Sequence, residues 1–369
     1  MSKAAELAAL IGSGQAQGNK NLIINGAMNV AQRGTVTSAV HDSFGGPDRY
    51  KISETGDTVF TMSQDSDTPT GEGFANSLKL DVTTADSSLA AGDFASVMYN
   101  FEGQNLQTLK KGTSSAKSVT LSFYIKSTIT GTYIVQLYDN DNNRQVSKSY
   151  TVSSADTWEK KTITFPADTT GAFDDDNALS LLIRWWFAAG TTYSSGTLAT
   201  TWASFTAANA AVGQVNAVNS TSNNIFLTGI QLEIGEVATP FEHESFDLTL
   251  DKCKRYYQKS FAYGTAPAND IAGVRMSEMP PSDSLSYAGA IVYLDKPMRV
   301  TPTCQAYNPQ SAPANSGAYV NDLVNGTVTT EYAVSSVSAT TSKLRFFLST
   351  APTTGGNPYG CNWTAASEL

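Results

Sequence analysis

The stretch Leu179-Ser-Leu-Leu-Ile-Arg-Trp-Trp-Phe187 carries the residues best suited to chemistry on a ligand. Leu179, Leu181, Ile183, Trp185 and Phe187 alternate with Leu182, Arg184 and Trp186, a period of two that puts the two sets on opposite faces of a strand. An indole beside a guanidinium on an open sheet face is a sugar platform. The C–H groups of a pyranose stack on the ring, and its hydroxyls accept hydrogen bonds from the arginine. Tyr124, from a neighbouring strand, and Tyr193 and Trp202, in the segment that follows, are further candidates for the same surface. The competing reading is that this face is buried under a second sheet, under residues 191–224 or under a sister subunit. Burial of a large apolar side chain stabilises by about 1.5–3 kcal/mol, which favours covering it.

Other clusters point to different chemistry. Asp174-Asp175-Asp176 offers a calcium site or one carboxylate of a glycosidase pair, against a solvated loop in which like charges repel and stay wet. Asp139-Asn-Asp-Asn-Asn143 opens like a calcium loop, but Arg144 stands where the sixth position needs glycine and Tyr150 where the twelfth needs glutamate, so a polar hairpin turn is expected. His41 and His243 share no ligand spacing with each other or with a cysteine, and His243, after a Thr-Pro-Phe turn, reads as structural. Gly71-Glu-Gly73 lacks the following helix of a phosphate loop. No catalytic residue, metal or cofactor is expected from these motifs.

Many short strands must position these residues. Val119, Leu121, Phe123 and Ile125 form one inward face, with Ser122, Tyr124 and Lys126 opposite. Leu78-Val82, Val97-Phe101, Tyr133-Leu137 and Trp158-Phe165 alternate in the same way, without helices between them. In Ile225–Ile234, Phe226, Ile230, Leu232 and Ile234 share a face, Gln231 and Glu233 the other. Gly235 ends that strand, Thr239-Pro240-Phe241 fixes an extended turn, and Thr249 is the expected N-cap of a short helix leading to a second domain. Residues 191–224 are Thr/Ser/Ala/Asn-rich, with Tyr193, Trp202 and Phe205 as their large side chains, and read as a long excursion packed on something.

The expected organisation is an N-terminal anchoring helix and linker (1–20), a β-sandwich domain (21–247) and a smaller β-rich domain (248–369) opened by a short helix. In the first segment Leu7, Leu10 and Ile11 make an apolar stripe, and Gly12–Gly18 is flexible by composition. In the last domain Ala290–Leu294 and Leu344–Leu348 read as strands, and Asn325-Gly326 between two strand-like runs marks a hairpin with a type I′ turn.

Charge narrows the field. Lys and Arg number 24 against 33 Asp and Glu, a net charge of −9, and no basic cluster exceeds two residues, which argues against a nucleic-acid partner. Three scattered cysteines make no disulfide framework, and an odd number suits assembly in a reducing cytoplasm. No apolar run is long enough for membrane insertion. Met1–Gly12, interrupted by Glu6, is a poor export signal, which disfavours a secreted bacterial carbohydrate-binding module.

Gly229-Ile-Gln-Leu-Glu-Ile-Gly-Glu-Val-Ala-Thr-Pro-Phe-Glu242 with Cys253-Lys-Arg-Tyr-Tyr-Gln258 resembles the domain junction of bacteriophage tail-fibre and virion-appendage proteins. Asn21-Leu-Ile-Ile-Asn-Gly-Ala-Met-Asn-Val-Ala-Gln-Arg-Gly34, Asp48-Arg49-Tyr50 and the ending Trp363–Leu369 are similar to the start, the following motif and the tail of the same family. Trp158 with Ile163-Thr-Phe165 resembles the equivalent stretch of carbohydrate-binding-module jelly rolls, which makes jelly roll the choice within the sandwich class. The resemblance implies a homotrimeric, non-enzymatic virion protein. It would be assembled in the host bacterial cytoplasm, joined through its N-terminus to another tail or neck protein, and adhere to a host cell-surface polysaccharide or lipopolysaccharide. The rival readings are a collar or capsid fibre with no receptor and a glycan-depolymerising tailspike.

Overall fold

The computed structural model describes residues 20–39, 41–269, 288–308, 318–322, 327–332, 334–348 and 359–369. Leu7, Leu10, Ile11 and the Asn325-Gly326 turn lie outside them. The chain divides into two compact units: one holds residues up to Ala31, Thr35–Thr249 and Leu369, the other Gln32–Gly34 and Leu250–Glu368.

The first unit is an antiparallel jelly-roll sandwich. Its strands are β1 (Val36–Ala39), β2 (Tyr50–Thr55), β3 (Val59–Asp65), β4 (Ser77–Thr84), β5 (Phe94–Glu102), β6 (Val119–Ser127), β7 (Gly131–Asp139), β8 (Arg144–Val152), β9 (Glu159–Phe165), β10 (Leu179–Ala189), β11 (Ala203–Ser204) and β12 (Asn224–Ile234). The first sheet runs β1-β3-β4-β12-β6-β9 and the second β11-β8-β7-β10-β5-β2. Only β3–β4 and β7–β8 pair as consecutive hairpin strands; the other connections between β2 and β10 cross from one sheet to the other. The inward faces supply the core: Leu121, Phe123 and Ile125 of β6 meet Leu181, Ile183, Trp185 and Phe187 of β10. Ile163 and Phe165 belong to the same core.

Strand β12 departs from simple alternation. Ile225 and Leu227 point into the core, as do Ile230 and Leu232, because the register shifts between Thr228 and Gln231. Phe226, expected on the inward face, is therefore on the outer one, where it meets Trp158 at 6.1 Å between ring centroids. Gly229 sits at the bulge with φ +61°, a conformation that costs an L side chain, and an added Cβ would come within 2.6 Å of Phe74 Cζ.

Past the bulge the outward residues of β12 hold the next turn. The Thr239 amide and hydroxyl each donate to the Glu233 carboxylate at 2.8 Å, and the Glu242 amide donates to Gln231 Oε1 at 2.8 Å. Glu242 Oε2 in turn accepts the Asn21 amide at 2.9 Å. His243 packs on Phe241 and Phe74, at 4.8 and 5.2 Å between centroids. Near the start of the unit, Asn25 bridges the Val30 backbone in both directions, and the Arg49 Nη2 donates to the Asn100 carbonyl at 2.8 Å.

The helix runs Phe246–Lys254, so Thr249 lies inside it. Ser245 precedes it, and its hydroxyl accepts the Leu248 amide at 3.4 Å. The second unit contains three three-stranded sheets among its described residues. Tyr257–Lys259, Asn362–Ala366 and Thr303–Tyr307 form one; Ala288–Tyr293, Lys343–Leu348 and Val334–Ala339 another; Thr327–Tyr332, Ala318–Asp322 and Tyr359–Gly360 the third. Its core gathers Val292, Leu294, Met298, Leu344, Phe346 and Trp363. Cys253, Cys304 and Cys361 form no disulfide, and burial pushes Cys361 up to about 12, well away from thiolate reactivity.

Candidate functional site: an arginine between aromatic rings on the second sheet

The outer face of the second sheet begins with the alternation of β10. Since Leu181, Ile183 and Trp185 point inward, Leu182, Arg184 and Trp186 point out. Register then sets their neighbours. Arg184 lies opposite Met98 of β5 and Gln136 of β7, and Lys51 of β2 lies opposite Met98 on its other side.

The chain after β10 folds back over part of this face. A single helical turn, Thr191–Ser194, and a 3-10 turn, Ala207–Asn209, form a flap tied down by polar side chains of the sheet. Gln145 Nε2 donates to the Thr206 carbonyl at 2.9 Å, and the Ser147 hydroxyl to the Ala210 carbonyl at 2.8 Å. Gln214 Oε1 accepts the Ile134 amide at 2.8 Å. Beneath the flap Trp186, Phe94, Ile134, Ala210 and Ala211 form a small apolar cluster of their own, with Tyr193 and Leu198 packed against it.

Trp186 is thereby corrected from platform to floor. It is 0% exposed, its ring meets Phe94 at 5.7 Å and Tyr193 at 5.4 Å, and its indole N–H has no partner. The covering element is the 191–224 segment, one of the three covers anticipated for this face.

Arg184 stays half-buried at the margin of the flap. Its guanidinium carbon lies 4.9 Å from the Trp186 ring centroid and 5.2 Å from that of Phe94. Nη2 donates to the Met98 sulfur at 3.2 Å, a weak acceptor, and the buried Nε has no acceptor. Burial draws the group down to about 10, against the opposing fields of Tyr193, Asp42 and Tyr138. It remains a cation throughout the physiological range. Around it stand half-buried Tyr193 and Tyr138, the latter 5.2 Å from Phe205, and Lys51, whose ammonium lies 5.7 Å from the Phe44 ring.

Arg184, Trp186 and Tyr193 thus come together. Tyr124 does not join them: it is on β6, in the other sheet, with its hydroxyl donating to Glu72 at 2.6 Å. Burial first and then Glu72 push the Tyr124 phenol up to about 12. Trp202 is also elsewhere, donating from Nε1 to the Pro166 carbonyl at 2.8 Å. Met98, Phe94 and Tyr138 escaped the sequence reading. The alternation of Val97, Tyr99 and Phe101 places Met98 outward, but only the pairing of β5 with β10 puts it against Arg184.

The acidic clusters resolve differently. Asp139 Oδ2 accepts the Lys111 ammonium at 2.5 Å, which also reaches Asp168 at 3.1 Å and the Thr170 and Gly171 carbonyls at 2.9 and 2.8 Å. Arg144 grips Asp168 through two bonds, 2.8 and 3.0 Å. Burial alone would raise the Asp168 carboxyl, but Arg144, the Thr170 amide and Lys111 together hold it below its ordinary value. Asp174, Asp175 and Asp176 are exposed, as the solvated-loop reading has it. Among the described residues no group of three or more His, Cys, Asp or Glu side chains could hold a metal ion, and no helix is long and apolar enough to cross a membrane.

No protein-family model and no curated protein matches the chain. Solved structures do. The enzymatically active domain of tailspike protein 4 of bacteriophage CBA120 is 14% identical over 58% of this chain, with a TM-score of 0.33, and this chain spans 21% of that one. The family 11 carbohydrate-binding module of the Clostridium thermocellum cellulase Lic26A-Cel5E is 16% identical over 57% of this chain and 99% of its own length, with a TM-score of 0.30. The N-terminal cellulose-binding domain of Cellulomonas fimi β-1,4-glucanase C is 16% identical over 48% of this chain and 84% of its own, with a TM-score of 0.25. All three TM-scores are low; what the site can do follows from this chain's own residues.

Proposed function

We propose that the protein is a non-enzymatic virion appendage, a tail fibre or similar part, that adheres to a bacterial cell-surface glycan through the outer face of its second sheet. The observation that carries the reading is the half-buried Arg184 beside the half-buried Tyr193, over a closed aromatic floor. Tyr193 offers a face for sugar C–H groups, and Arg184 offers donors for hydroxyl or oxyanion acceptors. Gln145, Ser147 and Gln214 tie the flap to the sheet, so Tyr193 is already ordered and little ordering entropy is lost on binding. The virion assignment rests on the resemblance of residues 21–34, 48–50, 229–258 and 363–369. In the same reading residues 1–20 join the chain to a tail or neck protein. Three copies then turn weak single-site contacts into firm attachment by avidity.

The test is binding of the full-length protein to whole cells and to purified capsule and lipopolysaccharide. Arg184→Gln should weaken binding about tenfold or more with the melting temperature held, and Tyr193→Ala should weaken it as much while also lowering the melting temperature through its lost contacts with Trp186 and Phe94. Tyr124→Ala, on the other sheet, should leave binding intact; a loss there instead moves the contact to the first sheet. Unchanged adhesion in all three variants retires the site, and release of oligosaccharide from capsule would make the protein a depolymerase.

A further inference from the structure

We propose that the glycan bound at this site is acidic, its carboxylate or phosphate docking on Arg184 while the sugar ring lies against Tyr193. This rests on the adhesion reading above and goes further, because it names what the sugar must carry.

The fold gives three other cations of this unit anionic partners. Lys111, buried in the same unit, is surrounded by two carboxylates and two carbonyls. Arg144 takes the Asp168 carboxylate with both arms of its fork, and Lys126 pairs with Asp67. Arg184 receives a thioether sulfur for one nitrogen and nothing for its Nε. Among the described residues, no carboxylate reaches ion-pair distance of it. A guanidinium taken partly out of water gains most from an oxyanion, which can accept two parallel charge-assisted bonds, and a neutral hydroxyl cannot replace both.

The surrounding charges favour an anion. The acid whose field reaches Arg184 is Asp42, but its side chain is 63% exposed and lies 3.6 Å from the Lys51 ammonium. Asp42 is therefore already partnered and screened by water. Lys51 itself stands two strands from Arg184 across Met98, roughly 10 Å away by strand spacing, and its charge offsets that of Asp42, so the pair leaves the net charge beside Arg184 unchanged. Tyr193 and Tyr138 also face Arg184 and bring no carboxylate to it. The chain's net charge of −9 opposes a polyanion at long range, so recognition would be local, at Arg184.

The experiment uses the full-length protein and two matched pairs of probes. One pair is oligogalacturonate and the same oligosaccharide after carboxyl reduction; the other is phosphomannan and its dephosphorylated mannan. Calorimetric titration should show one acidic member bound about tenfold or more tighter than its neutral twin, and which pair responds separates carboxylate from phosphate. Arg184→Gln should abolish that preference with the melting temperature held, and Arg184→Lys, which keeps the charge and loses the fork, should retain only part of it. If acidic and neutral twins bind alike, or Arg184→Gln keeps the preference, the acidic inference fails while adhesion stands. If the protein binds neither pair, nor purified capsule nor lipopolysaccharide, the adhesion reading fails with it.

Discussion

Every edge of the Trp186 indole is covered, so truncating it is a packing experiment rather than a binding one. Trp186→Ala should cost about 3–5 kcal/mol by urea denaturation, since it empties the floor beneath the flap. Trp186→Phe should cost far less, because it also removes a buried N–H that has no acceptor. A small loss in the alanine variant would mean the flap opens readily. Glu54 tests a different property of burial. It is 3% exposed, and burial, with a smaller push from Asp93, raises its carboxyl above the ordinary value despite the His41 amide. A raised folded value means that the protonated form suits the fold. The stability it supports is complete below the unfolded glutamate pKa, about 4.3, and is lost as pH rises through the folded value. Glu54→Gln should therefore melt higher than the natural protein at pH 7, and the gap should close toward pH 4. A gap that persists in acid would assign the gain to something other than titration.

At the scale of elements, Gly229 decides where β12 changes phase. Gly229→Ala places a Cβ against Phe74 and Tyr124 in a left-handed backbone, and should cost on the order of 1–3 kcal/mol, read as a lower melting temperature. A neutral substitution would show that the bulge is fixed by its neighbours. The same bulge marks how far a sequence can be read. The faces of β6 and of β10 from Leu181 to Trp186 were legible because nothing interrupts the period of two there. Phe226 was misplaced because an inserted residue reverses the phase and leaves no trace in hydrophobicity. Arg184 and Trp186 were legible as an outward pair, yet Tyr124 was wrongly grouped with them, since alternation identifies a face and not the sheet that owns it. Whether the 191–224 segment would cover Trp186 depended on Gln145, Ser147 and Gln214, polar residues that look like surface until their carbonyl and amide partners are known. The motifs behind the virion resemblance fared differently. Glu233, Thr239, Glu242 and Asn21 are clasp residues, so they bear on architecture and are silent about the ligand.

For the whole molecule the prediction is a native mass by light scattering of three times the 39.2 kDa chain, as the proposed fibre requires. A single-chain mass at working concentration would remove avidity from the account and leave residues 21–246 as a stand-alone binding module. The proposed adhesin would act outside the cell, in media of varied composition, and there the ammonium held by Asp139, Asp168, Thr170 and Gly171 matters beyond its hydrogen bonds. Such an oxygen cage is the kind of site that a hard divalent cation fills in other folds. In this one the positive charge is delivered by the ribosome, tethered to the main chain at Lys111. It cannot be chelated, exchanged or diluted away, so the cage keeps its cation whatever the divalent content of the medium.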